Sequence, residues 1–262
     1  SLFYFTIPKL KVDICRLPSA VLLLNRELPG TEFKDHVYIT GGCVRDLLLG
    51  EDSKDIDLIV LPPAEPLNLA RYIQNKRKVS RIQIFKRNGV VAFKVNEVFF
   101  EVSKSKPHEL VHREESATER GQSLKKDAYR RDFTVNALYI KIGDSEIIDP
   151  TGMGMQDIMK LTIRSIIEPE LCFATDPLRM IRAIRLAISL NAQIETNTYN
   201  AILTESSSIR LVASERVKEE LTRILTSDKW IDGFMLIKNT GLLHHISPVM
   251  DGCLTDNGLS TL

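Results

Sequence analysis

Up to about Ile163 the apolar residues come in short runs rich in Val, Ile and Phe: HVYIT, DIDLIVL, RIQIF, VVAFKV, VFFEV, VNALYIKI and EIIDP. Runs of this length and make-up predict β-strands. In KVNEVFF, Asn96-Glu97 separates two such runs and reads as a hairpin turn. Helical spacing interrupts the strands before His36, from Val44 to Leu49 and around Leu67 to Gln74. The first part is therefore α+β, a mixed sheet with helices packed on it. After about Pro169 the period changes. DPLRMIRAIRLAISL, TYNAILTES, ASERVKEELTRILTS and WIDGFMLIKNTGLL repeat their apolar residues at helical spacing. Asp176 reads as an N-cap with Pro177 at the first helical position, Ser214 as the cap of a later helix, and Ser227 or Asp228 as the cap of the one after. The pattern predicts a head over 1–162 and an all-helical segment over 163–262. The polar stretch Lys104 to Lys126 reads as a mobile loop. Trp230 and the methionines Met153, Met155 and Met159 read as packing residues, and His244-His245 as a capping or partly buried pair rather than metal ligands.

Hydrophobic residues make up 44% of the 262 residues and charged ones 26%, the balance of an ordinary globular protein. The formal net charge of +1 advertises no nucleic acid, so any basic face must come from local clusters. Lys76-Arg77-Lys78, Lys86-Arg87 and Lys125-Lys126 are the candidates. Cys15, Cys43, Cys172 and Cys253 are scattered, which suits a reducing compartment such as the cytoplasm. No apolar run is long enough to span a membrane, and SLFYFTIPKL lacks the basic start of a signal peptide.

The chemistry concentrates in ITGGCVRDLLLGEDSKDIDLIV, Ile39 to Val60. Side chains alternate along a strand, so Asp55 and Asp57 face the same way. Two like charges on one face cost stability unless a cation sits between them. Mg²⁺ prefers such hard oxygen ligands and commonly takes phosphate oxygens as well. Gly41-Gly42 precedes a helix whose first N–H groups can meet an anion. Together these point to a nucleoside triphosphate. Taken alone, the glycine pair is more often just a turn and the aspartate pair more often surface charge or a cap.

GG-x-VRD-LLLG followed by DIDL resembles the first motif of the tRNA nucleotidyltransferase and bacterial poly(A) polymerase family, within the polymerase-beta-like nucleotidyltransferases. RRDFTVNALY at Arg130 to Tyr139, IIDPTGMGMQDI, TDPLRMIRAIRLA and SERVKEELTRIL resemble its later motifs in the same order. The resemblance implies a polymerase-beta-like head followed by a helical neck, or a neck with the start of a body domain. It implies template-independent addition of CMP and AMP, from CTP and ATP, to the 3′ end of tRNA by Mg²⁺-assisted nucleotidyl transfer. Asp55 and Asp57 would be the metal ligands, with Glu101 as the third acidic group. Gly41, Gly42, Arg45, Arg130, Asp132 and Asn136 would meet triphosphate and ribose. Arg45 and Asp46 would either brace the turn or touch phosphate. Asp176 and Arg179, read as sharing one helix face, would pair with the base edge. Arg182 and Arg185 would line the site or pair with Glu215, Glu219 or Glu220. Thr175 stands where relatives carry an acid that orients the arginine. RIQIFKRNGVVAFKV lacks the Gly-Arg-Arg-Phe-like run of poly(A)-adding members. Addition of CC only, of A only or of poly(A), or RNA binding without catalysis, stay open as alternatives.

Overall fold

The structure, a computed structural model, describes residues 11–76, 79–85, 89–105 and 117–253. Of the basic clusters, Arg77, Lys78, Lys86 and Arg87 lie outside the described residues. The chain divides into two compact units, Ser1–Arg131 with Val135–Ile158, and Asp132–Thr134 with Met159–Leu262.

In the first unit the elements run α1 (Ser19–Glu27), β1 (Val37–Thr40), α2 (Gly42–Leu49), β2 (Asp55–Val60), α3 (Pro66–Lys76), β3 (Gln83–Phe85), β4 (Val90–Val95), β5 (Val98–Lys104), α4 (Ala117–Ala128), β6 (Tyr139–Lys141), β7 (Ile147–Ile148) and α5 (Gly154–Met159). The strands form a seven-stranded mixed sheet in the order β3-β4-β5-β2-β1-β6-β7. β2 and β5 run parallel at its centre, and their neighbours pair antiparallel. The predicted hairpin is present. Val95 pairs with Val98 across Asn96-Glu97, and Asn96 takes the left-handed conformation that a two-residue turn demands. α2 and α3 pack on the sheet, burying Val44, Leu47, Leu69 and Ile73 against strands whose Ile56, Leu58, Phe93 and Phe100 are also buried. Phe93 and Phe100 stack with ring centroids 5.4 Å apart.

The polar stretch read as a loop from Lys104 to Lys126 is corrected at its end, because residues 117–128 form α4. Residues 106–116 lie outside the described residues. In ATERGQSLKKDA the helix-forming residues are mostly polar, and among the side chains described the buried stripe is Ser123, Leu124, Asp127 and Ala128. Apolar periodicity therefore carried no signal although helix propensity was high.

The second unit holds β8 (Thr162–Ile163), α6 (Pro169–Thr175), α7 (Leu178–Ser189), β9 (Gln193–Ile194), α8 (Thr196–Glu205), α9 (Ser214–Leu225), α10 (Trp230–Asn239), α11 (Leu242–Ile246) and α12 (Pro248–Cys253). β8 and β9 form a small parallel pair, so the segment is helix-rich rather than all-helical. Asp132–Thr134 joins this unit through the Thr134 N–H, which donates to the Arg164 carbonyl at 3.0 Å, and a bridge between Phe133 and Ser165. α7 is its core helix, burying Met180, Ile181, Ala183, Ile184 and Leu186 against α9 and α10. The predicted caps are corrected. α9 and α10 are entered from Ala213 and Lys229 without a side-chain cap. Glu215 and Asp232 in their first turns supply the negative charge that helix N-termini favour. Ser227 instead donates to the Ile224 carbonyl at 2.7 Å and closes α9. Trp230, expected in the core, is 43% exposed at the start of α10. His244 pairs with Asp251 at 3.2 Å.

Candidate active site

The register of the first unit brings the acidic side chains together. Thr40 is the cross-strand partner of Asp57, and Asp57 is in turn beside Glu101 on β5. Asp55 lies two residues earlier on β2, so Asp55, Asp57 and Glu101 share one face while Ile56 and Leu58 are buried on the other. Asp55 and Glu101 are exposed and Asp57 is half-buried. β1 ends at Thr40 and α2 starts at Gly42, so Gly41 is the whole turn, at φ 76° and ψ −150°. A β-carbon on Gly41 would stand 2.2 Å from Asp57 Oδ2. Only glycine allows both that backbone angle and that approach.

Among the described residues no three acidic, His or Cys side chains close into a complete metal cage. The donor set nevertheless fits Mg²⁺, which is held by one or two carboxylates and completes its shell with phosphate and water. Asp55 and Asp57 are the carboxylates that would hold it. The Thr40 hydroxyl, in register with Asp57, is buried without a hydrogen-bond partner. Cys43, one residue into α2, donates its Sγ–H to the Thr40 carbonyl at 3.0 Å. Burial pushes its thiol up to about 12, so it stays a neutral packing group.

Arg45 lies along α2 and is only 12% exposed. Its Nε and Nη2 donate to Asp46 Oδ1 at 2.9 and 2.7 Å, and its Nη1 donates to Asn136 Oδ1 at 2.7 Å, across 91 residues of sequence. Arg45, Asp46 and Asn136 are thus one hydrogen-bonded group beside the glycine turn. Arg130 is held by Asp127, its Nη2 2.6 Å from Oδ1. Asp127 Oδ2 also accepts from Arg131 Nε at 3.0 Å and from the Tyr139 hydroxyl at 2.8 Å. Burial works against the Arg131 guanidinium, but Tyr139 and Asp127 outweigh it and keep it charged. Burial in turn raises the Tyr139 hydroxyl well above its ordinary value. Asp127, which organises this cluster, was missed in the sequence. Its signal was the arginines three and four positions later, which follow just past the end of α4.

The second unit places the remaining candidates. Asp132 is buried, and its Oδ2 accepts from Arg182 Nε at 2.9 Å and Nη2 at 2.6 Å, a two-pronged pair. Arg182 Nη1 lies 3.7 Å from Glu220 Oε1, and Arg185 Nε donates to Glu220 Oε2 at 2.5 Å. Arg182 and Arg185 therefore belong to one buried ionic network with Asp132 and Glu220.

Asp176 and Arg179 do not share a helix face, contrary to the sequence reading. The residue before a proline is driven out of the helical region. Asp176 accordingly ends α6 in an extended conformation (φ −153°, ψ 97°), and α7 begins only at Leu178. The predicted cap is corrected: Pro177 holds the N-cap position and Leu178 the first helical one, while Asp176, one residue earlier, accepts from the Leu178 N–H on Oδ1 at 3.3 Å. Its carboxylate pairs with Arg216 of α9, at 2.9 and 3.3 Å. Arg179 turns back toward α6, where its Nη1 meets Thr175 Oγ1 and Cys172 Sγ at 3.3 Å and the Cys172 carbonyl at 3.5 Å. Thr175 itself donates to that carbonyl at 2.7 Å. Neutral acceptors on α6 are thus among the groups that orient Arg179. Arg216 was also missed, since its partner lies 40 residues away and no local spacing links them.

Residues 37–164 match the poly A polymerase head domain family, and residues 191–254 match the family described as the probable RNA and SrmB-binding site of polymerase A. The chain is 31% identical over 242 residues to poly(A) polymerase I of Salmonella typhi, covering 86% of this chain and 49% of that one. It is 34% identical over 222 residues to the CC-adding tRNA nucleotidyltransferase of Halalkalibacterium halodurans, covering 84% and 53%. It therefore spans about half the length of these relatives. Among solved structures it resembles a CCA-adding enzyme in complex with ATP (TM-score 0.77, 26% identity, 90% of this chain and 55% of that one). It also resembles the Thermotoga maritima CCA-adding enzyme complexed with tRNA (TM-score 0.75, 27% identity, 89% and 54%). Among the described residues no helix is long and apolar enough to cross a membrane.

Proposed function

The chain belongs to the tRNA nucleotidyltransferase and poly(A) polymerase family, and from that premise we propose that it completes the 3′ end of tRNA by adding CMP and AMP from CTP and ATP. The observation that carries this reading is the register setting Asp57 beside Glu101 and against the Gly41 turn, with Asp55 on the same face. Bound Mg²⁺ would supply charge neutralisation on the triphosphate and on the attacking 3′ hydroxyl. Asp55 and Asp57 would hold it, with Glu101 as the third acidic group.

The chain's own residues do the rest. Gly41 and Gly42 let the triphosphate approach the N–H groups at the start of α2. Arg45, fixed by Asp46 and Asn136, and Arg130, fixed by Asp127, present guanidinium groups to phosphate, and Asn136 faces the ribose. The primer's 3′ hydroxyl gives up its proton to solvent and its oxygen bonds to the α-phosphorus as the bond from that phosphorus to the β-phosphate oxygen breaks, and pyrophosphate leaves. In the second unit Asp176 accepts from a base amino group and Arg179 donates to the base edge. Asp132 and Arg182 keep the start of that segment in place. Cys15, Cys43 and Cys172 are free thiols, which supports a cytoplasmic location.

A second reading, addition of CC alone or of poly(A), is favoured by the names of the relatives, which include CC-adding and poly(A)-adding proteins. Labelled CTP and ATP, offered separately and together with tRNA lacking its last three nucleotides, separate the readings. Full CCA addition gives two C and then one A. Arrest after two C identifies a CC-adding protein, and a long tail with ATP alone identifies a poly(A)-adding one.

A further inference from the structure

Asp176, proposed above to read the base, is paired with Arg216. An ionised carboxylate has about four lone-pair directions, two on each oxygen. On Asp176, Oδ1 accepts from the Leu178 N–H at 3.3 Å and from Arg216 Nη1 at 3.3 Å. Oδ2 accepts from Arg216 Nη2 at 2.9 Å. Three directions are used, and the one left is on Oδ2. Resting on the base-reading role proposed above for Asp176, we infer that Arg216 is a specificity-determining residue that leaves Asp176 a single aimed acceptor for one base N–H.

The chemistry follows from the base edges. Cytosine and adenine carry an exocyclic amino group, whereas the matching position of uracil and guanine is a carbonyl oxygen. One fixed acceptor takes an N–H from the first two and meets the second two with an oxygen-to-oxygen clash. A two-pronged guanidinium fixes the plane of the carboxylate as well as its charge. Without it, Asp176 is tied only by the Leu178 N–H, turns about its own bond, and offers several acceptor directions instead of one. The pair is also accessible, with Arg216 52% and Asp176 31% exposed. An exposed ion pair contributes modestly and is screened by salt. Its effect on selection is therefore about two- to fivefold, the range of an exposed pair.

Equilibrium affinities of the chain for CTP, ATP, UTP and GTP with Mg²⁺ test this without depending on how tRNA is gripped. The readout is the ratio of amino-bearing to carbonyl-bearing nucleotides, in which the shared triphosphate and its salt dependence cancel. Arg216→Ala should lower that ratio about two- to fivefold. Arg216→Lys, which keeps charge but loses the fork, should fall between. Raising KCl should bring the wild-type ratio down to that of Arg216→Ala and leave the variant's ratio flat. If Arg216→Ala weakens all four nucleotides equally, or leaves the ratio unchanged while Asp176→Ala lowers it, Arg216 is only a brace. The base-reading role of Asp176 then stands alone. If Asp176→Ala itself leaves the ratio unchanged, the base-reading role is wrong and this inference falls with it.

Discussion

Gly41→Ala separates geometry from stability at the glycine turn. The added β-carbon would stand 2.2 Å from Asp57 Oδ2 and 3.2 Å from its Cγ. Relief requires the Asp57 carboxylate to move by about 1 Å, and a displacement of that size in a reacting site costs on the order of 10²-fold in rate. The moving atom is the end of a flexible side chain, so this shift takes little from stability. The backbone does cost stability. At φ 76° and ψ −150° a residue with a β-carbon is strained by about 1–3 kcal/mol. For a chain of this size that is a fall in Tm of about 2–12 °C. Gly42→Ala is the comparison, because its β-carbon would be 3.3 Å from the far end of Arg45 and its φ is not positive. It should lose less on both measures. The assay is single-turnover nucleotide incorporation alongside thermal unfolding of the same samples. Wild-type incorporation and Tm in Gly41→Ala would refute the close approach of this turn to Asp57.

Arg179→Ala should blunt the preference for CTP and ATP over UTP and GTP, by up to about 1–3 kcal/mol, without removing all incorporation. Thr175→Glu should sharpen that preference or leave it unchanged, since it puts a charged acceptor where a hydroxyl now meets Arg179; both are read by offering each triphosphate separately. Asp127→Ala removes the acceptor shared by Arg130, Arg131 and Tyr139 and should destabilise the chain by roughly 1–3 kcal/mol in urea unfolding, because the half-buried Arg131 guanidinium and the buried Tyr139 hydroxyl lose their partner. Unchanged stability there would show that the cluster is not structural. The hydrogen bond from Lys141 holds the Asp35 carboxyl below its usual range. A carboxyl depressed in the fold stabilises it above the unfolded value near 4 and loses that contribution as pH falls through the folded value. Asp35→Asn should therefore flatten the acid side of the stability profile and leave its slope above pH 6 unchanged.

Features with a short repeat were legible in the sequence, and features made by distant partners were not. Two-residue alternation placed Asp55 and Asp57 on one face, and the Asn96-Glu97 hairpin followed from turn chemistry. Alternation did not bring in Glu101, which enters through parallel pairing of β2 with β5; only the motif resemblance pointed to it. Spacing misled at Asp176. Three residues on from it is Arg179, a helical interval, but Pro177 takes Asp176 out of the helix and into the reach of Arg216. The Arg45–Asn136 and Asp132–Arg182 pairs join residues far apart in the chain, and no local period encodes them. α4 was hidden for the opposite reason, since its buried stripe is largely polar.

The most direct measurement offers the chain, with Mg²⁺, CTP and ATP, to tRNA ending just before its CCA, and resolves the products by length. The wild-type chain should extend the RNA by two C and one A. Asp55→Ala and Asp57→Ala should extend it by nothing while unfolding at the wild-type temperature or above, since each removes an exposed or half-buried carboxylate and no core contact. Extension at near wild-type rate by either variant would contradict the placement of the chemistry on β2.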